Sequence, residues 1–240
     1  MIKPSENSAI IIGAGHNGLV CAIYLSIAGY NVRVLEAQDI AGGGAVTSEF
    51  AAGFKISGLA HLFHGLDPEI LKDIGMQSAD FELGPEIKTI ALAVNGNHLL
   101  IGKDSVTGAG LSEEDKQAYK EFKQEYYDFA KALKPLLLNK PPRLKNMDKA
   151  DKFTFAKMGW GLRFGLGVDA MREFLRVGGI NIYDVLNEKI ENSHLKGAIS
   201  VDAVMGHHMG PRTPTTVLTY LTRLNGEAQG NLSAPKNGMG

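Results

Sequence analysis

The stretch Ala9-Ile10-Ile11-Ile12-Gly13-Ala14-Gly15-His16-Asn17-Gly18 decides the fold of the N-terminal part of this chain. An apolar run that ends in glycine predicts a buried parallel strand over residues 9–12. Asn17 to Ala28 predicts a helix, and Asn31 to Glu36 predicts a second strand. A glycine-rich loop leaving a strand and opening a helix is the arrangement that cradles a dinucleotide pyrophosphate. Gly13 permits the tight turn, Gly15 lets backbone approach the pyrophosphate, and Gly18 lets helix and strand pack closely. The pyrophosphate would sit on free N–H groups at the helix N-terminus, where the helix dipole favours negative charge. Gly13, Ala14, Gly15, His16, Asn17 and Gly18 are therefore candidate cofactor-binding residues.

Two further features accompany the loop. Gly18, Ala22, Leu25 and Gly29 are spaced as one helical stripe, whose small residues allow close approach to the sheet. Glu36 ends the second predicted strand 18 residues after Gly18, near the position of a ribose-binding acid. Its carboxylate can accept hydrogen bonds from both ribose hydroxyls and would repel a 2′-phosphate, which disfavours NADP. The loop alone does not choose between FAD and NAD.

The segment Glu36-Ala37-Gln38-Asp39-Ile40-Ala41-Gly42-Gly43-Gly44-Ala45-Val46-Thr47 resembles the second signature of FAD-dependent amine oxidases and phytoene desaturases. Residues 10–20, Gly43 to Thr47 and Ala52 to Lys55 together look like the opening of phytoene-dehydrogenase-like FAD oxidoreductases. Within them, these stretches resemble the subgroup called pyridine nucleotide-disulphide oxidoreductase domain-containing protein. Phe174 to Leu186, Gly206 to Pro214 and the closing Asn237 to Gly240 are similar to that subgroup's later regions. The resemblance implies FAD as cofactor, with Glu36, Ala37, Gly42, Gly43, Gly44 and Ala45 added to the candidate binding residues. It also implies hydride transfer from a C–H bond of a small, apolar organic substrate to the flavin. This sequence departs from the pattern at Gln38, where an arginine is common, and its length is roughly half that of the family's chain.

The fold class expected is α/β: a Rossmann-like βαβ unit with an α+β substrate or cap region, and an incomplete sheet. The domains expected are residues 1–105, with the binding unit and a β-hairpin, and residues 106–240, mainly helical. A doubly wound sheet needs several parallel strands. Only two are legible, so Ile10 to Ile12 and Val32 to Leu35 are expected to lack neighbours. A fragment, a split-gene product with a partner chain, or a degenerate relative would each account for that, and the partner expected is a complementary C-terminal chain or a second copy in a homo-oligomer.

Further along, Asp67-Pro68-Glu69 predicts a helix start, and Asn95-Gly96 predicts a tight type I′ hairpin turn within residues 87–101. Ser112 to Asp115 resembles a capping box, followed by Tyr119, Phe122, Tyr126, Phe129 and Leu133 on one apolar face. That face is expected to be core. Short helices are expected over about 170–177, 182–191, 194–205 and 215–224, and loop over 226–240.

Composition bounds the remaining possibilities. The 240 residues carry 29 glycines, one cysteine and a net charge of −1, so neither an internal disulfide nor electrostatic nucleic-acid binding is expected. The polar Met1 to Ser8 and the absence of a long apolar run lead to a cytoplasmic expectation, at most peripheral to a membrane. The resemblance implies that His61 and His64 run near the flavin, as candidates for orienting substrate or shuttling a proton, with packed or surface histidines the plainer reading. His207 and His208 alternate on an extended chain and make a poor chelate, and no metal site is expected. Cys21 lacks a CxxC partner and reads as a small helix residue. Residues 131–157 hold eight Lys/Arg with Leu136, Leu137 and Leu138 between them. A solvated helix and loop is the plainer reading, and an anionic membrane surface is the alternative. No catalytic acid or base is legible. Besides the FAD oxidoreductase, two alternatives stand: an NAD-dependent dehydrogenase, and a non-catalytic, truncated nucleotide-binding subunit.

Overall fold

Strands β1 (Ser8–Ile12) and β2 (Asn31–Leu35) pair in parallel, with Ser8 opposite Asn31 and Ile12 opposite Leu35. Helix α1 (His16–Ile27) makes the crossover between them. These come from a computed structural model that describes residues 7–77, 82–138, 140–143, 145–228, 232–236 and 238–240. Residues 1–6 and Asn237, which also entered the reading of the sequence, lie outside the described residues. The chain divides into two compact units, residues 1–87 with 232–240, and residues 88–231.

In the first unit, α1 ends where Gly29 takes a left-handed φ of +85°. The Gly29 N–H donates to the Ser26 carbonyl and the Tyr30 N–H to the Leu25 carbonyl, closing the helix end. Gly29 therefore terminates the helix and is not part of its stripe. The stripe is Gly18, Ala22 and Leu25, all half-buried. An antiparallel hairpin follows, β3 (Thr47–Ala51) and β4 (Phe54–Ser57), with Gly53 at φ +79° in its turn. The Gly53 N–H donates to the Glu49 carboxylate at 2.9 Å. Helix α2 (Pro68–Asp73) begins as the sequence predicts, with the Asp67 side chain accepting from the Glu69 N–H. Strand β5 (Leu83–Glu86) pairs antiparallel with a strand at Ser233–Pro235. The tail expected as loop thus holds a strand, and that pairing brings residues 232–240 into the first unit.

The parallel sheet has two strands among the described residues. Ile10, Ile12 and Leu35 are 67%, 88% and 49% exposed, so the apolar strand face lacks cover, as expected from the sequence. Parallel strands are ordinarily covered on both faces.

The second unit opens with a three-stranded antiparallel meander, β6 (Thr89–Ala91), β7 (Leu99–Ile101) and β8 (Val106–Gly108). The expected type I′ turn is absent. That turn needs positive φ at both central residues, and of Asn95 and Gly96 only Gly96 has it. The hairpin loop instead spans residues 92–98 and is held by the Ala93 N–H on His98 Nδ1 at 3.0 Å and the Asn97 N–H on Asn95 Oδ1 at 3.1 Å. The meander lies in this unit, so the observed division differs from a boundary at residue 105. Leu99 and Val106 are buried in the same core as Tyr119 and Phe122 of the helix that begins at Glu113, and this packing places the meander with the helices.

Helix α3 (Glu113–Leu138) buries Tyr119, Phe122, Tyr126, Phe129 and Leu133, the face expected from their spacing. Ser112 caps it by accepting the Asp115 N–H, but Asp115 does not complete the box. Its carboxylate instead accepts the Glu191 and Asn192 N–H groups at 3.1 and 3.0 Å. Helix α4 (Lys149–Trp160) runs on into a π-helical turn, Gly161–Leu166. Its apolar residues are interleaved with Lys149, Lys152 and Lys157, so the sequence shows no separate apolar and polar faces there. Helices α5 (Val168–Val177), α6 (Ile182–Lys189), α7 (Ser193–Val204) and α8 (Thr216–Ala228) follow close to their expected positions. The aromatic face of α3 meets Tyr220, Leu221 and Leu224 of α8 in one core. No helix among the described residues is long and apolar enough to cross a membrane.

Candidate functional site

The glycine loop is held at both ends by backbone. The Gly13 N–H donates to the Leu35 carbonyl at 2.7 Å, extending the parallel ladder into the loop. Gly13 then turns at φ +99°, a conformation that glycine adopts without strain. Gly15 is the residue before the first turn of α1, and no side chain caps that helix end. The first helical bond runs from the Leu19 N–H to the Gly15 carbonyl. The earlier N–H groups of the turn are the donors a helix leaves unsatisfied, and the helix dipole gives them positive character.

The glycines divide their roles more sharply than the pattern implies. A Cβ at Gly18 would lie 2.2 Å from the Gly13 carbonyl oxygen and 3.4 Å from Ile11 Cγ2. Gly18 thus admits the loop's own backbone first and the strand second. A Cβ at Gly15 would meet only Gly43 Cα, at 3.9 Å. The protein itself leaves room at Gly15, which is where a ligand backbone approach is expected. Ala14 is buried.

The second glycine cluster joins the first. The Gly42 N–H donates to the Ala14 carbonyl at 2.8 Å, and Gly42 runs beside Gly15 as an isolated parallel bridge. Gly43 takes φ +57°, and a Cβ there would stand 3.0 Å from Gly15 Cα. Gly43, Gly44 and Ala45 form a single 3-10 turn, closed by the Ala45 N–H on the Gly42 carbonyl. Loop residues 13–18 and 42–45 therefore form one backbone-lined wall.

Glu36 stands at the end of β2 with its carboxylate folded back on that wall. Oε2 accepts the Ala14 N–H at 2.6 Å, and Oε1 accepts the Ala37 and Gln38 N–H groups at 2.9 and 3.0 Å. These bonds hold its carboxyl below the usual carboxylate range, the Gln38 N–H most strongly and then that of Ala14. Spacing along the sequence did not reveal this loop-bracing role. A carboxylate has about four lone-pair sites, so about one is left for a ribose hydroxyl while all three backbone bonds persist.

The remaining candidates are spread along the chain. His16 is the first residue of α1 and is exposed. His61 is exposed, with Nδ1 3.3 Å from the Leu59 carbonyl, while His64 is half-buried. His207 and His208 are both exposed. Cys21 is an exposed free thiol on α1. No three His, Cys, Asp or Glu side chains gather as a metal site among the described residues. Near the C-terminus, the Gly240 N–H donates to Thr47 Oγ1 at 3.0 Å.

Comparison with known proteins agrees with this geometry. Residues 11–74 match the family described as NAD(P)-binding Rossmann-like domain. The whole chain aligns with pyridine nucleotide-disulfide oxidoreductase domain-containing protein 2 of Rattus norvegicus at 29% identity, covering 44% of that protein. The same protein of Mus musculus aligns equally, at 29% identity over the whole chain and 44% of its own length. A limonene dehydrogenase chain of Castellaniella defragrans is 31% identical over 132 residues, 52% of this chain and 24% of that one. Among solved structures, wild-type putrescine oxidase with putrescine bound superposes with a TM-score of 0.53 at 17% identity, over 97% of this chain and 46% of that chain. The chain therefore spans less than half the length of these curated relatives. Its N-terminal part is a Rossmann-like domain, in a chain homologous to the pyridine nucleotide-disulfide oxidoreductase domain-containing proteins.

Proposed function

We propose that the first unit holds the adenosine and pyrophosphate end of FAD, and that the chain is part of an FAD-dependent oxidoreductase of the phytoene-dehydrogenase-like kind. The observation that carries this reading is the wall made by Gly15 and Gly42–Gly43, braced by Glu36. Room at Gly15 and uncapped N–H groups of α1 suit a pyrophosphate. Residues 13–18 would cradle it, Glu36 and Ala37 would meet the adenosine ribose, and Gly42 to Ala45 would let the cofactor pass alongside.

When bound, FAD supplies an acceptor for hydride from a substrate C–H bond. The chain's residues bind and orient it, and none is assigned as acid or base. The resemblance of residues 36–47 to the second signature of FAD-dependent amine oxidases and phytoene desaturases supports FAD and an apolar organic substrate. The exposed face of Ile10, Ile12 and Leu35 supports a further polypeptide segment, from a complementary chain or a second copy, as the element that covers the sheet.

The test is a visible spectrum of the purified chain, followed by FAD and NADH titrations. A retained flavin spectrum, or saturable FAD binding, supports the reading. A colourless protein that binds NADH and not FAD overturns it in favour of a dehydrogenase. That second reading is favoured by the NAD(P)-binding description of the family matched at residues 11–74.

A further inference from the structure

Helix α4 and the π-helical turn after it carry an aromatic face that the fold leaves uncovered. Phe153, Trp160 and Phe164 are 71%, 68% and 62% exposed. With Ala156, also exposed, they recur at spacings of three and four, so they share one side of the helix. Trp160 and Phe164 pack ring against ring at a centroid distance of 4.3 Å, which makes the end of the stripe one continuous pad. An aromatic pad of this kind on a helix is an interaction surface rather than an ordinary scatter of exposed residues.

Charge identifies what it faces. Lys149, Lys152, Lys157 and Arg163 flank the stripe on the same helical segment and make no ion pair among the described residues. The acids of the segment, Asp148 and Asp151, are both taken by Arg143, whose Nε lies 2.9 Å from Asp151. The cations at the stripe are therefore left uncompensated by their own element. A helix with aromatics on one side and lysines beside them lies in the headgroup region of an anionic bilayer, with rings in the acyl boundary and ammonium groups among the phosphates. A groove of about 500 Å³ opens next to the same helix, lined by Lys157, Met158, Gly161, Phe129, Ala132 and Pro135.

We infer that the α4 segment docks the protein on an anionic lipid surface through Phe153, Trp160 and Phe164, with Lys149, Lys152, Lys157 and Arg163 on the headgroups. This inference does not depend on the cofactor reading.

Trp160 is the chain's single tryptophan, so its emission reports the patch alone. The experiment mixes the full chain with phosphatidylcholine vesicles, with or without phosphatidylserine, and follows Trp160 emission and co-flotation. Binding with a blue shift to the phosphatidylserine vesicles, weakened by added salt, is expected. Each Lys→Gln change at 149, 152 or 157 should lower affinity by about fivefold. Phe153→Ser combined with Phe164→Ser should abolish the shift while the far-ultraviolet circular dichroism stays unchanged. No flotation, flotation insensitive to these variants, or a blue shift caused by self-association without lipid would each overturn the inference.

Discussion

The Ala14 N–H donates to Glu36 Oε2 at 2.6 Å, tying the glycine loop to the end of the second strand across 22 residues of chain. Glu36 is thus a brace for the loop as well as a candidate ribose ligand. In Glu36→Gln the same three backbone donors face a side chain with one acceptor oxygen instead of two. Cofactor affinity is expected to fall by about tenfold or more, as measured by FAD titration, because charge-assisted bonds give way to weaker neutral ones.

The same carboxylate predicts a pH dependence. Its folded-state pKa is depressed by the N–H groups of Gln38, Ala14 and Ala37. The unfolded value is about 4.3. A depressed folded pKa contributes stability that is present above the unfolded value and lost as pH falls through the folded one. Denaturant titrations from neutral to acid pH should show wild type losing its advantage over Glu36→Gln below about pH 4. An advantage that persists unchanged into strong acid would show that Glu36 does not brace the loop.

Gly15 and Gly18 should separate binding from folding. Gly15 has an ordinary φ of −72°, and a Cβ there makes only an ordinary 3.9 Å contact with Gly43 Cα, so Gly15→Glu is expected to fold with a nearly unchanged melting temperature. Its carboxylate would meet the pyrophosphate, and FAD or NADH binding should be lost. Gly18→Ala would place a methyl 2.2 Å from the Gly13 carbonyl oxygen. It should cost about 1–3 kcal/mol in denaturant unfolding, the range for forced overpacking.

In the second unit, Lys123 and Glu227 pair at 3.1 Å with side chains 7% exposed each, and the Tyr127 hydroxyl donates to the same Glu227 oxygen at 2.8 Å. Glu227→Ala leaves the ammonium buried without its partner and should destabilise by about 3–5 kcal/mol. Replacing the pair together, Lys123→Met with Glu227→Leu, should recover most of that loss. A double variant no better than Glu227→Ala would mean the loss lies in packing or in the orphaned Tyr127 hydroxyl rather than in the unpaired ammonium.

The uncovered strand face makes a further prediction. Ile10 and Ile12 stand 67% and 88% exposed, and an apolar face of this kind binds hydrophobic dyes and drives association. Ile10→Lys with Ile12→Lys should reduce dye fluorescence and slow aggregation of the isolated chain. Unchanged dye binding would place the sticky surface elsewhere.

Much of the first unit was legible because its constraints are local. The turn at Gly13, the helix start near His16 and the strand to Leu35 follow from residues within a few positions of each other. The α3 face was legible for the same reason, since helical spacing alone lines up Tyr119, Phe122, Tyr126, Phe129 and Leu133. The resemblance of residues 42–43 to a second signature marked a segment that the fold sets beside the glycine loop. What local pattern did not reveal was α4, whose large aromatic residues face outward, and the end strand at Ser233–Pro235, whose partner Leu83–Glu86 lies far earlier in the chain.

The sequence by itself determined that a strand, a glycine loop, a helix and a second strand make a dinucleotide-type βαβ unit, because glycine positions and apolar periodicity act over short range. Only the tertiary structure decided that Glu36 reaches back to Ala14, that Gly43 stands against Gly15, and that Gly18 makes room for a carbonyl rather than for the sheet alone. Those relationships depend on backbone segments brought together by the fold, at distances of a few ångströms, and spacing along the chain does not encode them.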